Sequence, residues 1–349
     1  MGFLFNSQAR RIEMKHLRIG KRQATMVDAP DPHAEDDWVV IKIHAAPLCT
    51  EYKLFVSDRE AEGVGHEAAG EVVEVAQPGP LKVGDRVLVS PQVGCGVCYL
   101  CSRGDYIHCQ SQGKRYPGKR SGGHLAQYIT KPAHICPVLP DDIDYIHGSL
   151  AGCALGPAFN AAMRMNVTAF DSYLITGMGP VGLGALTVGK FRNAKVIAVE
   201  SVPFRQEKAK ELGADHVLDP NDPDVLKQIM DITDGKGVEK ALDCSGNEKA
   251  ERLCIDAAMR RGDVAFVGEN GGTIPISPSR DFIRKGITLH GIWHWNLHDF
   301  PEMMDVIRRS PNTKIGKLIS HVLPMSRAQE AFELCAEHKT AKVILKPWE

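Results

Sequence analysis

SYLITGMGPVGLGALTVGKFRNAKVIAVE, residues 172–200, is the stretch whose reading decides the fold. Ser172–Thr176 is a short apolar run of strand length. Gly177-Met178-Gly179-Pro180-Val181-Gly182 follows it, a G-x-G-x-x-G that opens a helical stretch. Alone the motif is weak; between a strand and a helix it points to a dinucleotide. The first glycine permits a tight turn, the second lets the backbone approach a pyrophosphate, and the third lets helix pack on strand. The helix N-terminus, with Pro180 and Val181 in its first turn, faces the anion. Lys195–Glu200 reads as the next strand. Glu200, at its end, is placed to accept hydrogen bonds from the adenosine ribose hydroxyls and to repel the 2′-phosphate of NADP. NAD is therefore expected; Arg205 leaves NADP a smaller opening.

Downstream, a helix is predicted through Gln206–Leu212. Strands are predicted at His216–Asp219, Lys240–Cys244, Val264–Gly268 and Ile287–Trp293. Six strands alternating with helices predict an α/β unit with a Rossmann doubly wound parallel sheet over residues 155–295. Upstream the texture differs. Lys15–Ile19, Val39–His44, Gly70–Val75 and Arg86–Ser90 read as β segments punctuated by Gly and Pro. They predict a β-barrel or irregular β domain over residues 1–154, with 1–13 a loose extension. Residues 296–349 carry two helical stretches and a final apolar strand, Lys342–Leu345.

Composition narrows the function classes. The chain has 349 residues, 42 Lys plus Arg against 43 Asp plus Glu, and a net charge of −1, which disfavours a nucleic-acid partner. No apolar run approaches the ~20 residues of a membrane span. The N-terminal patch Phe3-Leu4-Phe5 is too short for a signal-peptide core and precedes its basic residues. A cytoplasmic protein is expected, and in that compartment clustered cysteines mean metal or catalysis more often than disulfides.

Cys95, Cys98, Cys101 and Cys109 give C-x2-C-x2-C-x7-C. Four thiolates so spaced can wrap one tetrahedral ion, and zinc is the usual occupant. A disulfide pair and an iron–sulfur cluster are the other readings. Gly94, Gly96 and Gly104 supply turns in this lobe, about 94–110. A closed four-cysteine site stabilises and performs no chemistry. A second set consists of Cys49, His66 of Gly65-His66-Glu67, and Cys153: a Cys₂His set with one open position.

With these motifs in this order, the chain resembles the zinc-dependent medium-chain dehydrogenase/reductase family, the alcohol, polyol and threonine dehydrogenases. The resemblance runs from about Met14 to the C-terminus and rests on Cys49, Gly65-His66-Glu67, Gly84-Asp85-Arg86-Val87, the four-cysteine lobe, Gly177–Gly182 and Glu200. It implies a GroES-like catalytic domain interrupted by the Rossmann domain. It also implies two zinc ions per chain, the catalytic one held by Cys49, His66 and Cys153 with Glu67 beside it, and a homodimer or homotetramer. The implied activity is Lewis-acid-assisted hydride transfer between a small alcohol and NAD, most naturally a secondary hydroxyl of a polyol or sugar derivative. Alternatives are a primary or aromatic alcohol dehydrogenase, an aldehyde reductase, and a non-catalytic dinucleotide binder that has lost the catalytic zinc.

Two departures matter. The family reads Cys-x-Ser/Thr-Asp-x-His after its first ligand; this chain reads Cys49-Thr50-Glu51-Tyr52-Lys53, one residue short. Counting from His44 makes Cys49 the ligand, whereas counting from Lys53 puts Leu48 there, which cannot bind zinc. The third ligand is a cysteine where polyol enzymes often carry Glu. On this reading Thr50 takes the hydroxyl proton, Lys53 ends the relay, and Glu51 orients His66. Cys136, Cys244, Cys254 and Cys335 read as core residues. His124, His294 and His298 read as structural, although His294, between Trp293 and Trp295, is placed to reach the cleft.

Overall fold

A computed structural model describes residues 13–111, 115, 122–309 and 315–349. Six parallel strands lie in the spatial order His216–Leu218, Lys195–Val199, Ser172–Thr176, Val238–Asp243, Ala258–Phe266, Thr288–Gly291. The first strand in sequence is thus third in space. The order reverses beside it, which opens a crevice at the carboxyl ends of the strands. Ser172–Thr176 and Lys195–Val199 are buried at all but their first residue, as expected of a sheet covered on both faces.

The glycines of the fingerprint are demanded by contact. Gly177 has φ +82°, and a Cβ on Gly182 would lie 1.8 Å from the Gly177 carbonyl oxygen. In the same helix, Pro180–Phe191, a Cβ on Gly184 would lie 1.9 Å from the carbonyl oxygen of Ala154. The nucleotide helix therefore packs backbone to backbone against the segment that carries Cys153.

The β lobe is built round Trp38–Leu48. This strand pairs antiparallel with Ala68–Val75, Tyr128–Pro132 and Lys342–Lys346. Arg86–Val89 and Ile319–Pro324 extend the sheet on either side. A smaller sheet joins Glu13–Gly20 with Gln23–Pro30 and Glu60–Glu62. Between them lies a core that includes Leu17, Ile19, Ile41, Ile43, Val72 and Val87, with Phe55 stacked on Phe332 at 5.4 Å. Val343 faces Leu48 across the returning strand, so the chain re-enters this lobe after completing the nucleotide sheet.

The sequence reading misses the strands Gln23–Pro30, Tyr128–Pro132 and Ile319–Pro324 and the helix Gly156–Arg164. Gln23–Pro30 buries only Ala24 and shows no alternation to read. Tyr128–Pro132 hides behind Lys131, which is charged yet only 1% exposed. The strand expected at Lys15–Ile19 runs from Glu13 to Gly20. Residues 1–12 of the expected extension lie outside the described residues. Among the described residues no helix is long and apolar enough to cross a membrane.

Candidate metal and dinucleotide sites

The four lobe cysteines place their sulfurs within 4.8 Å of one another. Cys95 and Cys101 are 3.9 Å apart, as are Cys98 and Cys109. That is far too long for a disulfide, whereas zinc–sulfur bonds of ~2.3 Å in a tetrahedron have sulfur–sulfur edges of about 3.8 Å. The backbone N–H of Cys95 points at Cys109 Sγ (3.3 Å) and that of Cys98 at Cys95 Sγ (3.3 Å). Such donors favour thiolates. Burial works against ionisation of Cys95, but the N–H groups of Val97 and Cys98 outweigh it and bring the thiol down to about 6.

Cys49, His66, Glu67 and Cys153 form the second group, again with donor atoms within 4.8 Å. Cys49 follows the central strand directly, His66 and Glu67 precede Ala68–Val75, and Cys153 precedes the Gly156–Arg164 helix. The two sulfurs are 3.7 Å apart, again the edge of a zinc–thiolate tetrahedron. Glu51 closes the frame. Its Oε1 lies 2.7 Å from His66 Nδ1, while its Oε2 accepts from the Cys49 N–H at 2.8 Å. One carboxylate thus fixes both a thiol-bearing backbone and an imidazole, leaving Nε2 toward the sulfurs. Glu51 does both from a position two residues past Cys49. Leu48 is a buried strand residue paired with Val343.

Burial opposes a charged His66, but Cys49 and Glu51 outweigh it and raise the ring to about 11. The donors' own negative charge causes this, and a dication held by the same atoms would displace the proton. The donor set therefore fits zinc. Glu67 is fully buried; burial pushes its carboxyl up, to about 8, against the pull of Lys342. Lys342, also fully buried, is bonded to Glu67 Oε1 and is the member of the site that sequence reasoning missed. Its signal was a lysine opening an otherwise apolar strand.

Thr50 and Lys53 are exposed at the start of the short helix Glu51–Phe55. The structure brings neither into a hydrogen bond with the cluster. His294 is brought close, its ring 6.2 Å from that of His66 and nearly perpendicular to it. Burial, reinforced by His66, lowers His294 to about 4, so its imidazole is neutral at pH 7.

At the fingerprint, a Cβ on Gly179 would meet nothing within 4 Å, an open face toward an arriving phosphate. Glu200 is only 6% exposed. Its Oε2 accepts from the Met178 N–H (2.6 Å) and its Oε1 from Ser201 and Val202 (2.8 and 2.9 Å). Ser201 Oγ also reaches Oε1, at 3.4 Å, so on a carboxylate with about four acceptor positions a ribose hydroxyl would take the place of this long fourth bond. Arg205 is half-buried, 3.5 Å from the Thr340 carbonyl oxygen.

A parallel nucleotide sheet, a closed thiolate cluster and an open Cys₂His cluster in one chain define a zinc-binding dehydrogenase of two lobes. Known proteins agree. Residues 35–141 match the family model of the alcohol dehydrogenase GroES-like domain, and residues 180–309 that of the zinc-binding dehydrogenase. L-threonine 3-dehydrogenase of Pyrococcus horikoshii is 34% identical over 330 residues, covering 91% of this chain and 93% of that protein. Sorbitol dehydrogenase of Bacillus subtilis is 30% identical, covering 93% and 95%. The alcohol dehydrogenase TADH from Thermus sp. ATN1 superposes with a TM-score of 0.86 at 22% identity, covering 95% and 99%. The chain belongs to the zinc-dependent medium-chain dehydrogenase family and is an alcohol/polyol dehydrogenase. The reading as a non-catalytic dinucleotide binder falls with that finding.

Proposed function

We propose that the chain oxidises a secondary hydroxyl of a small polyol or sugar derivative, with NAD as hydride acceptor and one zinc ion in each cluster. The observation that carries this is the open set. Cys49, His66 and Cys153 offer three donors, and Glu67, whose Oε1 is held by Lys342 and whose Oε2 has no partner among the described residues, is the fourth group beside them, which yields its place to substrate. The relative named sorbitol dehydrogenase supports a polyol.

Zinc in that set supplies Lewis-acid polarisation of an alcohol oxygen, and the nicotinamide takes the hydride. The residues do the rest. Glu51 holds His66 and the Cys49 backbone in register. Lys342 balances the Glu67 charge. Thr50 takes the hydroxyl proton and Lys53 hands it to solvent. Gly177, Gly179 and Gly182, with Pro180 and Val181, cradle the pyrophosphate. Glu200 accepts from the ribose and disfavours NADP, and Arg205 flanks that end.

We place the β lobe at 1–154, the nucleotide domain at 155–295 and its return segment at 296–349. None of the ten cysteines is paired in a disulfide, which fits a reducing cytoplasm. A homodimer or homotetramer fits the free edge strand Thr288–Gly291, near which Ile283 and Leu289 are exposed.

The test is a panel of polyols, secondary and primary alcohols and aldehydes, read by NADH absorbance alongside metal analysis. Two zinc ions per chain are expected. A chelator should strip the open cluster first, ending turnover before unfolding. One zinc in fully active protein would refute the two-site reading. No turnover of any alcohol by zinc-replete protein would refute the function.

A further inference from the structure

His294 follows the edge strand Thr288–Gly291 and is held in an uncommon conformation. Its φ is +55°, in the left-handed region that side chains seldom occupy. Strain of this kind persists where the surroundings over-determine it, and it clusters at functional sites.

The surroundings here are specific. Asn160 Nδ2 donates to the His294 carbonyl at 2.9 Å. Trp295, next in the chain and 1% exposed, donates from Nε1 to the Gly152 carbonyl at 3.0 Å. Gln92 Nε2 donates to the Trp295 carbonyl at 2.7 Å. Gly156 is a glycine because a Cβ there would strike the Trp295 ring at 2.2 Å. Asn160 and the Trp295 bond to Gly152 thus fasten 294–295 to the segment that carries Cys153, and Gln92 ties it to the loop after Arg86–Val89. Yet the ring these bonds position is unused: Nδ1 is buried and, among the described residues, has no hydrogen-bond partner. A buried ring nitrogen without a partner is costly, and a clamp that holds it beside the open cluster implies a ligand that satisfies it.

We propose that His294 is a specificity-determining residue, whose ring hydrogen-bonds a second hydroxyl on the carbon adjacent to the one oxidised. This rests on the open cluster being the alcohol site. The half-buried ring can present either nitrogen by a half-turn about its Cβ–Cγ bond. One nitrogen donates and the other accepts, which suits a hydroxyl, itself both donor and acceptor. A carboxylate on that carbon would need a cation instead. The buried ammonium beside the cluster is that of Lys342, which Glu67 holds, and that of Lys53 is exposed and committed to the proton path. The preferred substrate is therefore a neutral vicinal diol over a monoalcohol, and over a β-hydroxy-α-amino acid.

The test compares wild type with His294→Gly, which accepts the backbone conformation and deletes the ring, and His294→Asn, which also tolerates φ > 0 but keeps a hydrogen-bonding group. Substrates are butane-2,3-diol, butan-2-ol and threonine, read as kcat/KM with NAD. Calorimetry measures binding of the same compounds to zinc-loaded enzyme with NADH. Wild type should favour the diol over both others. His294→Gly should lower the diol-to-monoalcohol ratio at least about tenfold in both readouts, and His294→Asn should recover part of it. An unchanged ratio in His294→Gly, or a wild type that treats diol and monoalcohol alike or prefers threonine, would overturn the assignment. If wild type oxidises none of them, the proposed function fails and calorimetry decides this inference alone. Tighter diol binding that disappears in His294→Gly supports it, and equal binding overturns it.

Discussion

Replacing Gly184 by alanine sets two effects of opposite sign against each other in one methyl group. Within a helix the change is worth about 1 kcal/mol in favour of alanine. Here the new Cβ would lie 1.9 Å from the Ala154 carbonyl oxygen and 2.9 Å from its carbon, where real Cβ contacts are not closer than 3.0 Å. The obstacle is backbone and cannot rotate away. Helix and segment must part by roughly an ångström, and forced overpacking of this sort costs about 1–3 kcal/mol. The clash should win, by up to about 2 kcal/mol. The displaced segment adjoins Cys153, and a 1 Å error near a reacting centre can cost about 10²-fold in rate. Thermal unfolding, zinc per chain and kcat should all fall in Gly184→Ala. Gly189→Ala in the same helix is the control. Its Cβ would meet the side chains of Tyr173 and Val196 at 2.9 and 3.0 Å, a far smaller overlap than that of Gly184 and with no backbone atom in the way. It should lose less stability and keep its zinc. A Gly184→Ala protein with raised Tm, full zinc and unchanged kcat would refute the reasoning.

Lys342→Met should destabilise the zinc-loaded protein by about 1–3 kcal/mol in urea, because it leaves the buried Glu67 carboxyl, protonated once the lysine is gone, without its partner, and Glu67→Leu in the same chain should recover much of the loss; a single-variant loss below about 0.5 kcal/mol contradicts this. Wild type should prefer NAD over NADP by more than about tenfold in kcat/KM, since a 2′-phosphate beside Glu200 would suffer a buried like-charge clash; parity would show that Glu200 does not face the ribose. Thr50→Ala should cost about 10²–10⁴ in alcohol oxidation with zinc content intact, while Thr50→Ser keeps most of it. Wild-type turnover in Thr50→Ala would remove Thr50 from the proton path, a result its exposure makes worth seeking.

The nucleotide sheet was legible because a parallel strand buried on both faces must be an apolar run, and because Gly177 and Gly182 answer steric demands that no other residue meets. Both candidate metal-binding groups were legible from residue type: four cysteines in fifteen positions, and His66 next to Glu67. What stayed hidden is non-local. Nothing near Lys342 in sequence reveals Glu67. Nothing near His294 reveals that Asn160, Gln92 and Gly152 hold its segment, since each of those contacts spans more than a hundred residues. Side-chain exposure was hidden too: the turn into a five-residue helix leaves Thr50 and Lys53 exposed, so the proposed proton path opens directly to solvent.

The bond between Glu67 and Lys342 joins residues 275 positions apart, with the whole nucleotide domain between them. During synthesis, Glu67 leaves the ribosome long before its counter-charge exists. Until Lys342–Lys346 docks on Trp38–Leu48, the early lobe holds an acid it cannot bury and a central strand with an open side. The intervening nucleotide domain is continuous and carries its own core, so it can fold while the first lobe waits. The first half of the polypeptide, expressed alone, should then be a poorly folded, zinc-leaking fragment. Assembly of the catalytic centre becomes a late event, set by arrival of the returning strand and slowed by the length of loop it must close.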